Sequence, residues 1–406
     1  MISASEALAV TWRSCVQQDW TGWDPYDGLM VRRWPVTALL RSRWGRLALI
    51  QGMKRSPVNL RPLLGIPRLR NPKAMALGLS AATLLGGLPA WRDRALPEAR
   101  RLVDDLLALA RPTPSGQGWG YPFDWQARAF WIPRGTPTVV CTGFVVRALD
   151  SARSAAIVGD RVAPAVEAAA RFVDKDLNRT ESEGGFCWSY SPLDRSCVVN
   201  ATLLGAETVA RAARLLGDAG MFRGTLPTVS WSLARQNAEG GWAYGTAGHH
   251  GWEDAFHTGF NLLSLSALRN IAVALDVDPG QVCPEERLVR GARYYAEKFF
   301  DPDGRPWYYR HSPWPIDAHA AAVGIITLVQ FAEFVPELLD RARRVVHWTL
   351  GNLWRGDGFV FQRHRHYTIG VPYLRWSNAW MLLALATWEA SAARDQGGVR
   401  ISHGGG

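Results

Sequence analysis

Five times after residue 110 the chain repeats one phrase: a glycine–aromatic loop, a polar stretch, then a helix that opens on a polar residue. The loops are Gly118-Trp119-Gly120-Tyr121, Gly184-Gly185-Phe186-Cys187-Trp188, Gly240-Gly241-Trp242-Ala243-Tyr244, Asp303-Gly304 with Trp307-Tyr308-Tyr309, and Asp357-Gly358-Phe359. The helices that follow are expected to open near Thr142, Asn200, His257, His319 and Asn378. A looser sixth copy is Trp23-Asp24-Pro25-Tyr26-Asp27-Gly28. Glycines 118, 185, 241, 304 and 358 lie 67, 56, 63 and 54 residues apart. That period suits two helices plus a long loop, and six such units would close a ring. The expected fold is therefore all-α: an (α/α)6 toroid of two concentric helix rings, with the aromatic loops and polar helix starts gathered at one mouth.

The periodicity of the apolar residues agrees. Segments 98–110, 144–156, 163–177, 200–216, 226–236, 257–275, 285–300, 319–334, 336–354 and 378–393 have helical spacing, and almost none alternates with period two. Segments 260–268 and 320–331 are apolar nearly all round, as inner helices must be, whereas 285–300 and 336–354 carry Arg and Glu on one face. No Pro- or Gly/Ser-rich linker interrupts the pattern, so residues 1–406 are expected to form one domain, with a disordered tail from 395.

Charge is unevenly placed on this chain of net charge +10. Between Gly28 and Trp91 stand eleven Lys or Arg and no acid, and this basic segment is expected to supply the first helices. Such a surface attracts anions, whether acidic polysaccharide, lipid headgroups or other polyanions. Val36–Ile50 reads as a basic amphipathic helix, so contact with a membrane surface through residues 32–73 is a further expectation. The uncharged run from Ala74 to Trp91 contains Ser80, Thr83, Gly86, Gly87 and Pro89, and reads as a buried inner helix rather than a membrane span. Five cysteines without framework spacing, and no basic–apolar leader, suggest reduced thiols in a cytoplasmic protein, peripheral to the inner membrane if the basic helix docks there.

Gln236-Asn237-Ala238-Glu239-Gly240-Gly241-Trp242 matches Q-x-x-x-G-x-W and resembles the repeat of squalene cyclases and related prenyltransferase-repeat proteins. The resemblance covers about 110–390 and implies an α/α toroid in which Gln and Trp tie helix ends to the next repeat. The D-x-D-D proton donor of class II cyclases is not reproduced: Asp174-Lys175-Asp176-Leu177 lacks its last Asp, and Asp104-Asp105 does not continue as D-D-x-x-D. The segments Asp254–Phe260, 316–319 and 374–380 look like parts of toroid proteins from bacterial polysaccharide-biosynthesis clusters. They are similar in style to sugar epimerase toroids, in which two inner-helix histidines trade a proton.

Candidate chemistry centres on His257 and His319, each near the first turn of an inner helix and each preceded by an acid, Asp254 and Asp317. Two imidazoles flanking a sugar carbon could remove and return a proton, with the acids fixing their tautomers. Tyr190 is a further proton carrier. For substrate binding the loops offer Trp119, Asp124, Trp125, Arg128, Trp188, Asn200, Trp242, Tyr244, Glu253, Trp307, Tyr308, Arg310, Arg375, Trp376 and Asn378. The aromatics would act as platforms and the arginines as carboxylate clamps. A glycosidase pair could instead be drawn from Asp124, Glu253, Asp254 and Asp317. His249-His250 and His364-x-His366 lack a zinc framework, no phosphate-cradling glycine motif occurs, and no nucleic-acid reading motif is present; neither metal nor cofactor nor specific nucleic acid is expected. The expected partner is an acidic saccharide or another anionic substrate, and the expected reaction is epimerisation or elimination, with hydrolysis second. Isoprenoid handling and non-catalytic polysaccharide assembly are the alternatives.

Overall fold

A computed structural model describes residues 2–127 and 131–397. Fourteen α-helices follow one another among these residues: α1 (Ala4–Gln17), α2 (Arg43–Arg55), α3 (Pro72–Gly86), α4 (Arg92–Ala108), α5 (Val139–Ser154), α6 (Ala163–Arg171), α7 (Val199–Leu216), α8 (Ala219–Arg223), α9 (Leu226–Leu233), α10 (Ala255–Ala274), α11 (Glu285–Lys298), α12 (Ala318–Phe331), α13 (Glu337–Asn352) and α14 (Ala379–Gly397). Helices α3, α5, α7, α10, α12 and α14 pack each against the next, and α14 returns to α3, so the inner ring closes with six members. The outer ring is α1, α4, α6, α9, α11 and α13. The chain is an α/α toroid.

Burial follows from this arrangement. The inner helix α12 has all but two of its fourteen residues buried, including Ala320, Val323, Ile325 and Leu328, because both its faces meet protein. The outer helix α13 buries only one stripe, Leu338, Ala342, Val345, Val346, Thr349 and Leu350, and turns its arginines outward.

The glycines of the repeat have a steric reason. Gly185 adopts φ +132 and lies on the carbonyl of Pro227 at the start of α9; a Cβ there would sit 2.0 Å from that oxygen. Gly304, at φ +95, lies on Arg344 of α13, where a Cβ would sit 2.3 Å from the carbonyl. Each loop thus presses onto an outer helix, an approach that no side chain permits. Gln236 of the full motif donates to the carbonyls of Gly240 and Arg287, at 3.0 and 3.2 Å, and Trp242 Nε1 donates to the carbonyl of Ser232 at 3.0 Å. The motif therefore ties α9, its loop and α11 together.

Two expectations are corrected here. The single helix expected over Val36–Ile50 is broken: a 3-10 turn spans Val36–Arg41, and Ser42 then takes an extended backbone to cap α2 by accepting from Gly45 N at 2.9 Å. The basic segment is also not all surface, since Arg61 is buried against Asp27 and Lys73 is buried at the start of α3. Of the tail expected to be disordered, α14 runs through Gly397 and residues 398–406 lie outside the described residues.

Candidate functional site

The six inner helices begin at one mouth, and their first turns enclose a cavity of about 260 Å³. Side-chain caps set most of these starts. Asn71 accepts from Lys73 N, Thr138 from Cys141 N, Asp254 from His257 N and Asp317 from His319 N. Caps of this kind satisfy helix N–H groups that would otherwise be orphaned. In five helices the residue two places after the cap faces the cavity: Lys73, Val140, Asn200, Phe256 and His319. At the sixth, a π-turn over Leu374–Asn378 brings Arg375 and Trp376 into the same wall.

The loops complete the wall by a repeated backbone bond. Val139 N donates to Tyr190 O, Val199 N to Tyr244 O, and Ala255 N to Tyr308 O, at 3.0, 3.1 and 3.0 Å. Each loop is pinned to the inner helix of the preceding unit, so Tyr190, Tyr244 and Tyr308 occupy equivalent places around the cavity. Tyr121 OH and Tyr190 OH lie 3.2 Å apart. Burial pushes the Tyr121 phenol up to about 12 and that of Tyr190 well above its ordinary value, so both stay protonated.

His257 and His319 share this cavity but differ in kind. Asp254 Oδ1 accepts from His257 N at 2.9 Å, and its Oδ2 lies 2.6 Å from His257 Nδ1 and 3.1 Å from Trp252 Nε1. With Nδ1–H directed at the carboxylate, His257 Nε2 carries the free lone pair. His319 is 1% exposed, and neither of its ring nitrogens has a protein partner. Its ring stacks between Phe256 and Trp380, 4.6 Å from each, with the edge of Trp376 at 4.7 Å. Burial holds its pKa well below the usual histidine value, and the nearby Lys73 and Arg375 push the same way, so it is neutral. The His257 ring lies 4.3 Å from the Phe256 ring and the His319 ring 4.6 Å from it, so the two imidazoles are no farther apart than the sum of those distances.

The two histidines are therefore not equivalent, which corrects the expectation drawn from the sequence. His257 stands three places after its cap, where the ring can fold back onto the capping carboxylate. His319 stands two places after its own and projects inward. Asp317 accordingly does not touch the His319 ring: it accepts from His319 N at 2.8 Å, from Gln362 Nε2 at 2.7 Å and from Trp376 Nε1 at 3.1 Å. Burial raises Asp317 to about 6, against the lowering effect of these donors.

Of the other expected residues, Trp125, Asn200, Tyr244, Tyr308, Arg375 and Trp376 line the cavity. Several do not. Trp119 and Trp242 are buried structural rings, with Trp119 Nε1 donating to Leu106 O at 2.7 Å. Trp188 is buried beside Phe186, and Trp307 does not line the cavity. Asp124 accepts from Arg134 N within its own loop. Glu253 accepts from Asn237 and Tyr294 and faces Arg310, which also pairs with Glu239. Asn378 Oδ1 accepts from Phe359 N at 3.0 Å and latches the last loop. Asp124, Glu253, Arg310 and Asn378 are engaged by protein and do not line the cavity, which corrects their reading as substrate contacts. Arg128 lies outside the described residues. Asp254 is the sole carboxylate among the described lining residues, so a glycosidase pair does not assemble there.

Lys73, Lys54 and Phe256 also line the cavity, beyond the residues expected there. Lys73 Nζ lies 4.1 Å from the Phe144 ring centroid, and burial drives its pKa well below the usual lysine value. Lys54 Nζ donates to Tyr26 OH at 2.9 Å; burial opposes its charge, but Tyr26 and Asp317 outweigh that and raise its pKa. The signal for Lys73 was available, since Asn71-Pro72-Lys73 stands in the same register as Asp317-Ala318-His319.

No family model matches the sequence, and no curated protein matches it. Solved structures do. Cellobiose 2-epimerase from Bacillus thermoamylovorans is similar with a TM-score of 0.57 at 11% identity, over 79% of this chain and 90% of that one. An unsaturated glucuronyl hydrolase specific for heparin matches with a TM-score of 0.60 at 11% identity, over 97% of each chain. A possible GH105-family member from Klebsiella pneumoniae matches at 0.61 and 12%, over 96% and 94%. At these identities the likeness is one of fold, and it assigns the chain to the α/α-toroid architecture that these three proteins share.

Proposed function

We propose that this chain is an enzyme that removes a proton from a saccharide ring carbon adjacent to a carbonyl or carboxylate group. The observation that carries the reading is the His257–Asp254 dyad facing the unpartnered His319 across an aromatic cavity. His257 Nε2 would take the proton, and Asp254 would stabilise the imidazolium through Nδ1–H. The electron pair of the broken C–H bond would move to the adjacent oxygen. Neutral His319 can donate N–H to that oxyanion at no cost in charge, the role a depressed imidazole pKa suits. Lys54, Arg375 and the converging helix N-termini add a positive field where negative charge develops. Protonation of the carbon on its opposite face gives epimerisation, return of the proton to the same face gives exchange alone, and departure of a neighbouring substituent with its bonding electrons gives elimination.

Several features support a sugar. Six tyrosines and three tryptophans line the cavity beside Phe123, Phe256 and Phe260, with Val140 as the one aliphatic among the described lining residues, so aromatic faces stand beside hydroxyl and N–H donors. The volume lies just below the range typical of drug-sized ligands and suits a single ring with its substituents. Isoprenoid cyclisation fits less well, because Lys54 and Arg375 would repel a carbocation in the same cavity.

Ligand-induced stabilisation tests the substrate class. Neutral sugars, uronic acids and prenyl diphosphates would be compared by thermal unfolding, in wild type and in His319→Phe. A sugar at a hundred times its Kd should stabilise the wild type by about 2.7 kcal/mol, and this gain should vanish in the variant. Stabilisation by a prenyl diphosphate, with none by any sugar, would overturn the reading.

A further inference from the structure

We infer that the segment before and after α2 is a docking surface for a bilayer containing anionic lipid. Fourteen large hydrophobic side chains are exposed among the described residues, and six of them fall between residues 34 and 63: Trp34, Leu39, Trp44, Val58, Leu60 and Leu63. Trp34 and Trp44 are 84% and 75% exposed. The two stretches that carry them are tied together, since Arg32 N donates to Leu64 O at 3.1 Å and Gly45 lies on the backbone of Leu39. Beneath them Leu29, Val31, Leu49, Ile50, Met53 and Ile66 form a small core of their own. The protruding apolar side chains therefore ride on a built platform.

Charge selects the occupant. No acid occurs between Gly28 and Arg92. The exposed Arg32, Arg33, Arg41 and Arg55 form no ion pair among the described residues. Four uncompensated cations attract any polyanion. Leu39, Val58 and Leu63 gain nothing from a sugar or phosphate chain, but they gain from hydrocarbon, and tryptophan prefers the headgroup boundary. The combination fits a membrane surface. Among the described residues no helix is long and apolar enough to cross a membrane, so the contact is interfacial.

Docking there would set the cavity beside the bilayer. A groove of about 700 Å³ runs from Arg43, Trp44, Leu47 and Arg55 to Tyr26 and Trp125, and the last two also line the cavity. Helix α2 borders both, presenting Trp44 outward and Lys54 to the site. The inference stands apart from the proposed reaction, because it rests on a different surface and is read without catalysis.

Flotation with phosphatidylcholine vesicles, with and without about one-third phosphatidylglycerol, tests it. The full chain should float with the anionic vesicles and not with the neutral ones. Trp34→Ser/Trp44→Ser should lose at least about tenfold in partitioning, and each of Arg32→Gln, Arg33→Gln, Arg41→Gln and Arg55→Gln roughly fivefold. These side chains are exposed, so circular dichroism and Tm should stay at wild-type values. Quenching of wild-type tryptophan fluorescence by brominated lipid is a second readout that needs no variant. Failure of the wild type to float, or unchanged flotation of the tryptophan variant, contradicts the proposal. Heparin or duplex DNA binding without flotation reassigns the patch to a soluble polyanion.

Discussion

Arg375 Nη2 donates to Asp24 Oδ1 at 2.8 Å across 351 positions of sequence, and both side chains are buried. This ion pair joins the loop of the first unit to the π-turn before the last inner helix, so it closes the toroid at its mouth. It also directs the Arg375 guanidinium over the rings of Tyr121 and Trp376, at 5.0 and 5.2 Å, and thereby shapes the cavity wall. Burial opposes the charge of Arg375, and Asp24 more than restores it.

Removing one partner should leave a buried charge alone. Asp24→Asn is expected to destabilise the fold by about 3–5 kcal/mol, and Asp24→Leu/Arg375→Met by less than that single change. Urea unfolding of the three proteins checks this. A double variant that loses as much stability as Asp24→Asn, or more, would contradict the view that the unpaired buried charge carries the cost.

His319 presents the opposite case, a buried polar ring without a protein partner. An unsatisfied buried group costs about 1–3 kcal/mol. His319→Phe should therefore keep or raise Tm while abolishing ligand-induced stabilisation. A large loss of stability would instead make His319 a packing residue.

Much of this geometry is legible in the sequence, and part of it is not. The ring of helices was legible because the glycine–aromatic phrase recurs and inner helices are apolar all round. The dyad was legible too, since an Asp three places before a His at a helix start can cap and reach the ring at once. What could not be read was which way each loop aromatic points. Trp119 and Trp242 look like platforms, yet their N–H groups are bound to the carbonyls of Leu106 and Ser232. Lys73 was hidden for a different reason. The first unit lacks a strong copy of the phrase, so its lysine merged with a run of surface cations. Asp317 was placed in the right neighbourhood and given the wrong partner, because its carboxylate is used by Gln362, Trp376 and backbone N–H groups.

Asp317 also sets a pH window. Its pKa rises from 3.8 to about 6 on folding, so the native state favours the protonated acid. The associated stability is present below about pH 4 and is lost as pH rises through about 6, an effect of roughly 3 kcal/mol. Asp317→Asn should remove that slope, so the stability of the variant relative to wild type should climb between about pH 4 and 7. Parallel unfolding midpoints across this range would contradict the assignment.

Asn378 separates structure from function. Asn378→Ala deletes the acceptor of Phe359 N in a buried loop. A loss of about 1–3 kcal/mol is expected, with ligand affinity unchanged, as unfolding and calorimetric titration would show. A selective loss of affinity would return Asn378 to the binding site.

In the proposed reaction His257, oriented by Asp254, takes a proton from a sugar carbon while His319 holds the developing oxyanion. The most direct measurement is hydrogen exchange at that carbon in D2O, followed by NMR on a sugar that stabilises the wild type. Deuterium should enter with wild-type protein, about 10²–10⁴-fold more slowly with His257→Gln, and more slowly with His319→Phe. Undiminished exchange in His257→Gln, or turnover of the sugar with its ring hydrogens all retained, would contradict it.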